Sequence, residues 1–143
     1  MTTPTKEGSS TIIPAMRYRN APAAIEWLCQ AFGFEKQLVC PGENGAIVHA
    51  QLTFGHGMMM LGSVRENDFS KLVKQPDQIE GFETQCPYAV VKDADAHYAR
   101  AVAAGAKSIQ EPADQPYGDR NSGVIDPFGN TWYIATHIKD VAH

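Results

Sequence analysis

Hydrophobic positions in this chain follow two rhythms, and the order of the rhythms repeats. Residues 11–18 (TIIPAMRY) form an apolar run that predicts a strand, with Pro14 suited to an edge or a bulge because it has no N–H for a ladder. Asn20 then has the side chain of a helix cap, and Pro22 falls in the first turn, where a missing N–H does no harm. Ile25, Leu28, Cys29 and Phe32 follow at i, i+3, i+4 and i+7, which is one apolar helical face, and Gly33 stands at the natural stop. Three strand-like segments come next, Lys36 to Cys40, Ala46 to Phe54 and Met58 to Leu61. Gly55, His56 and Gly57 predict a tight turn between the last two.

After a polar stretch containing Pro76, the pattern restarts. Pro87 to Val91 predicts a strand, Asp93 an N-cap, and Tyr98, Ala101 and Val102 a helical face ending at Gly105. Ala106 to Gln110 predicts a strand, Asp114 to Asn121 a loop, and Ser122 to Asp126 and Thr131 to His137 the last two strands. Phe54-Gly55 recurs as Phe128-Gly129, 74 residues on, and the helix-ending Gly33 recurs as Gly105, 72 residues on. Agreement in both order and spacing predicts a βαβββ unit used twice. The expected division is a flexible tail over 1–10 and a single domain over 11–143. Within that domain, module 1 covers about 11–63, a connector about 64–83, and module 2 about 84–137.

Composition narrows the partners. The 143 residues are 43% hydrophobic and 20% charged, enough apolar material for a core. Net charge is −4, and no run of basic residues marks a phosphate-binding face, so nucleic acid is not an expected partner. No apolar stretch approaches the roughly 20 residues that span a bilayer. The polar start, Met1 to Ser10, lacks the apolar centre of a signal peptide. Cys29, Cys40 and Cys86 are odd in number and widely spaced, which fits reduced thiols and a cytoplasmic location.

Three segments, NAPAAIEWLCQAFGF (20–34), VKDADAHYARAVAAGAK (91–107) and DPFGNTWYIATH (126–137), resemble the vicinal-oxygen-chelate superfamily of glyoxalases, bleomycin-resistance proteins and dioxygenases. QPYGDRNSGVIDPFGN (115–130) is similar to a glyoxalase-like branch of uncharacterised bacterial proteins. The resemblance implies an α+β fold in which two βαβββ modules form a cupped mixed sheet around a central cavity, and a homodimer. It also implies that a metal, where present, is held from the first and last strands of each module. The corresponding positions here are Ile13, Met59, Cys86 and Tyr133. That set lacks the imidazole, carboxylate and amide oxygen ligands a divalent ion requires, so no metal and no cofactor is expected.

Strand alternation assigns Val48, Ala50, Leu52 and Phe54 to a helix-packed side and Ile47, His49, Gln51 and Thr53 to the other. Trp132 and Ile134 likewise face a helix, while Tyr133 and Ala135 face away. By the same logic Arg17, Met59, Cys86 and Tyr88 join the open side, and Tyr117 in the 114–121 loop covers its mouth. The candidate ligand-binding set is therefore Arg17, His49, Gln51, Met59, Cys86, Tyr88, Tyr117 and Tyr133.

Each residue carries two readings. His49 is a general base or a simple hydrogen-bonding side chain. Tyr133 is an oxyanion donor or a packed ring with a satisfied hydroxyl. Arg17 is an anion clamp or half of a surface ion pair. Met59 is an adaptable wall or sheet core, and Cys86 a nucleophile or a small buried residue. Asp119 and Arg120 are expected to order the loop before the seventh strand. The mixture of aromatic, apolar and a few polar groups suits a small organic ligand. The expected function is metal-free sequestration or sensing, and the alternative is a lyase, isomerase or dioxygenase-type enzyme of the same superfamily.

Overall fold

The computed structural model describes residues 10–142, so the expected tail falls almost wholly outside the described residues. The chain divides between Gln75 and Pro76 into two units, a point inside the 64–83 segment. Each unit is a βαβββ module, as the doubled pattern predicts, and the class is α+β.

The first module runs β1 (Ala15–Tyr18), α1 (Ala21–Trp27), β2 (Glu35–Pro41), β3 (Ile47–Phe54) and β4 (Gly57–Ser63). The second runs β5 (Tyr88–Val90), α2 (Ala94–Ala103), β6 (Lys107–Asp114), β7 (Asp119–Ile125) and β8 (Thr131–His137). Strand order is β1-β4-β3-β2 in one sheet and β5-β8-β7-β6 in the other. In each, the first strand lies parallel to the last and the remaining pairs are antiparallel. The registers match as well. Ala15 pairs with Met60 and Tyr88 with Tyr133, while Met60 N–H donates to Pro14 O and Tyr133 N–H to Pro87 O.

Local chemistry explains the helices. Asn20 Oδ1 accepts from Ala23 N–H at 3.2 Å, and Asp93 Oδ1 accepts from Ala96 N–H at 3.0 Å. Each side chain thereby satisfies one of the N–H groups a first turn leaves unpaired. At the far end of α2, Gly105 N–H donates to Val102 O and Ala106 N–H to Ala101 O, both at 3.0 Å, with Gly105 at φ +107°. That is a Schellman stop, and glycine adopts its left-handed geometry without a Cβ clash. The first helix departs from the expected single α-helix. Leu28–Phe32 is wound as a π-turn before Gly33 at φ +83°. The wider winding turns Trp27, Leu28, Ala31 and Phe32 together into the core, while Cys29 stays only half-buried.

The cores lie between each helix and its own sheet. Tyr18, Leu28 and Leu52 are fully buried in the first unit, and Ala101, Val124 and Ile134 in the second. A fully buried aliphatic side chain of this size stabilises by about 1.5–3 kcal/mol. Two helix-packed positions differ from expectation. Val48 is exposed and lies over Gly42 at the module edge instead of under α1, and Val102 is exposed on α2.

Strand limits differ where proline intervenes or pairing reaches further than local signals do. β1 starts at Ala15, since Pro14 has no N–H for the ladder, which leaves Ile13 outside the strand. β6 extends through Pro112 to Asp114 because the ladder is irregular between Gln110 and Ala113, where a proline is tolerated. β7 starts at Asp119, not Ser122, because Asp119, Arg120 and Asn121 pair with His137, Thr136 and Ala135. Among the described residues, no helix is long and apolar enough to cross a membrane.

Candidate functional site

Cross-strand partners share a sheet face, so the register decides which side chains stand together. In the first module Leu52 pairs with Met59 and Gln51 with Met60. Leu52 and Met59 are both buried on the helix side, so Met59 belongs to the core and Met60 takes its expected place on the open side. The sequence placed Gln51 and Met59 on one face; an antiparallel pair in this register cannot do that. Arg17 pairs with Gly62, two residues beyond Met60, and lies on the same face. The open face of the first module therefore carries Arg17, Met60, Gln51 and His49.

These groups are held by a short relay. Gln51, fully buried, accepts at Oε1 from the His49 ring nitrogen Nε2 at 2.9 Å and donates through Nε2 to Gln37 Oε1 at 2.7 Å. Gln37 is the extra residue of a bulge, since Lys36 pairs with Leu52 and Leu38 with Gln51. In the neutral ring, an Nε2 that donates makes Nδ1 an acceptor. Arg17 has no acidic partner among the described residues, contrary to the surface-pair reading. Its guanidinium instead stands over the Phe69 ring, 5.1 Å from the centroid.

In the second module the open face carries Tyr88, Tyr133 and Asn121, with Asp119 and His137 at its end. Asn121 is the hub, and its bonds account for its full capacity. Nδ2 donates to Tyr117 Oη at 2.8 Å and to Tyr88 Oη at 3.3 Å. Oδ1 accepts from Gln110 Nε2 at 2.8 Å and Gln115 Nε2 at 3.1 Å. A buried amide has two donors and two acceptor sites, so nothing is left unmade. Tyr88 Oη donates to Asp119 Oδ2 at 2.6 Å, and His137 lies between Asp119 Oδ1 at 3.0 Å and Asp140 Oδ1 at 2.8 Å.

The charges follow from these contacts. Burial and the bond to Asp119 push the Tyr88 phenol up to about 12, so it stays protonated. Asp119 is held below the usual carboxylate value by Tyr88 and then His137, and His137 is raised by Asp119 and Asp140. Tyr133 stands beside Gly123, where an added Cβ would lie 3.0 Å from the ring and 3.0 Å from Ile109 Cγ1. Glycine at 123 is thus what leaves room for the ring beside it.

Arg120 belongs to the opposite side, with its fork on both oxygens of Asp95 in the first turn of α2, at 2.7 and 2.9 Å, and on Asp114 at 3.0 Å. Arg120 and Asp119 are thus strand residues, not loop residues. Cys86 precedes β5 and is exposed, contrary to the buried expectation. Its sulfur turns back to 3.3 Å from Thr131 O, and local burial together with Glu83 raises the thiol pKa, which disfavours a nucleophilic thiolate.

The structure thus groups Arg17, His49 and Gln51 in one module and Tyr88, Tyr117 and Tyr133 in the other. It leaves Met59 in a core and Cys86 outside the strand. Sequence reasoning missed Asn121, Gly123 and His137. The signal was present as alternation of 119, 121 and 123, concealed because that segment reads locally as a loop.

A divalent metal does not fit the paired first- and last-strand positions. They hold Ala15 with Met60 and Tyr88 with Tyr133: a methyl, a thioether and two phenols. Among the described residues, no group of three or more His, Cys, Asp or Glu side chains converges for one either.

Comparison with known proteins agrees with the topology. The chain is similar to TioX from Micromonospora sp. ML1, at 29% identity and a TM-score of 0.65, with 91% of this chain and 100% of that one covered. The fold is shared with protein PA1353 from Pseudomonas aeruginosa, at 17% identity and a TM-score of 0.66, covering 92% and 100%. An uncharacterized protein of Mycobacterium bovis is 29% identical over 128 residues, covering 90% of this chain and 84% of that protein. A family description matches residues 13–134, and on that match the chain belongs to the Glyoxalase/Bleomycin resistance protein/Dioxygenase superfamily.

Proposed function

We propose that this protein binds a small organic molecule without a metal, on the open sheet faces of its modules, and acts by sequestration or sensing. The observation that carries this reading is the face built around Asn121. Tyr88 and Tyr117 are about half exposed, yet both hydroxyls are tied to a buried amide. Rings fixed in advance offer contact area with little entropy left to lose on binding. Such a face gives a ligand aromatic walls and a few oriented polar groups, which is what small-molecule sites consist of. The homodimer expected from the family resemblance and the cytoplasmic location expected from three widely spaced cysteines belong to the same reading.

A thermal-shift screen tests the proposal. Antibiotics, quinones and α-keto compounds are added to the purified protein, since a ligand selective for the native state raises Tm by mass action. A hit lost in Asn121→Ala supports the reading. A screen without any hit overturns it. Turnover of a hit that disappears in His49→Ala replaces binding with catalysis, since a neutral His49 ring that donates through Nε2 presents Nδ1 as an acceptor.

A further inference from the structure

Arg17 stands on the open face of the first module with no carboxylate bound to it among the described residues. Its surroundings hold it in place nonetheless. The 64–75 segment docks on it at two points, with Gln75 Nε2 donating to Arg17 O at 2.9 Å and the Phe69 ring stacked against the guanidinium. The turn that presents Phe69 is itself braced. Asn67 Oδ1 accepts from Ser70 N–H at 2.9 Å, and Ser70 Oγ accepts from Asn67 N–H at 3.1 Å. On the other side lies Gly62, where an added Cβ would be 2.6 Å from Arg17 Nη1, so the guanidinium rests on bare backbone.

The electrostatics point the same way. Partial burial and then the charge of Arg65, a second cation, lower the Arg17 pKa. Arg65 is itself without an ion pair among the described residues. Two cations acting on one another raise the local potential for an anion, and neither has a carboxylate partner among the described residues. Its planar fork matches a carboxylate bidentately. Beside it, Phe69 and Met60 offer apolar contact.

We propose that Arg17 is the anion clamp of the first module and that the ligand it takes is an organic acid: a carboxylate on the guanidinium edge, and an apolar body lying along Phe69 and Met60. This deepens the binding reading above and rests on it.

The test compares 2-naphthoate with its neutral isostere 2-naphthamide and with inorganic phosphate. Binding is followed by calorimetry and by the arginine Nε–H resonances of the labelled full chain. Naphthoate is expected to bind and to move the Arg17 resonance, with naphthamide and phosphate each at least about tenfold weaker. Arg17→Met is expected to lose at least about tenfold in naphthoate affinity, and Arg17→Lys, which keeps charge but not the fork, to fall between. Equal binding of acid and amide would sink the clamp while leaving the metal-free binding reading intact. So would phosphate binding as tightly as naphthoate, or naphthoate binding folded Arg17→Met unchanged. Should Arg17→Met not fold, the Arg17→Lys affinity and the identity of the shifted resonance decide. If neither acid nor amide binds and the thermal-shift screen is also blank, both readings fall together.

Discussion

Asp126 begins the DPFGN turn and holds most of it. Its Oδ1 accepts from Phe128 N–H and Asn130 N–H, both at 2.9 Å, and its Oδ2 accepts from Trp132 Nε1–H at 3.0 Å, with Asp126, Asn130 and Trp132 nearly out of solvent. Asp126→Ala strands three donors and is expected to destabilise by about 2–4 kcal/mol, read from chemical denaturation midpoints. The His137 cluster differs because it is exposed, and it answers to pH more than to burial. With His137 raised by Asp119 and Asp140, its stabilising effect is complete below the unfolded value of about 6.5 and fades as pH rises through the higher folded value. Asp119 is lowered, so its share is present above its unfolded value and is lost as pH falls through the folded one. An NMR titration is expected to place the His137 transition above that of a free histidine, and Asp119→Asn to bring it back down. Tyr88, Tyr133, His49 and Gln51 could be named from alternation and Tyr117 from its place in a loop, but the part Asn121 plays as their hub could not. Its partners Tyr88 and Gln110 lie 33 and 11 residues away.

The elements themselves were legible because their signals are short-range. Caps, proline in the first turn and stopping glycines act within four residues, so Asn20, Asp93, Gly33 and Gly105 could all be read from the chain. Asn20→Ala and Asp93→Ala are each expected to cost about 1 kcal/mol, measured by thermal unfolding. Gly105→Ala forces an L side chain to φ +107° and is expected to cost about 1–2 kcal/mol. The π-turn over Leu28–Phe32 could not be anticipated, because spacings of three and four residues look alike whether the winding is α or π. At strand ends the cause is different. Asp119 to Asn121 are polar and follow a glycine, which reads as loop. They form strand because β8 supplies the partner hydrogen bonds.

For the whole molecule, the donor chemistry at the paired strand positions makes a definite prediction. Zn²⁺, Ni²⁺, Mn²⁺ and Fe²⁺ are expected to leave Tm unchanged and to be absent in stoichiometric amount after purification without chelator; a large positive shift would overturn the metal-free reading. The doubled βαβββ order, the α+β class and the family likeness were already determined by the sequence, because each rests on local patterns that occur twice. Only the tertiary structure decided which side chains share a face. A slip of one residue moves every side chain of a strand to the other side, and no local signal distinguishes Met59 from Met60. The same holds for Arg17, whose seat between Phe69 and Gly62 depends on segments more than 40 residues further along the chain. Capping is settled within a turn, whereas pairing, burial and charge compensation are settled only when distant strands meet.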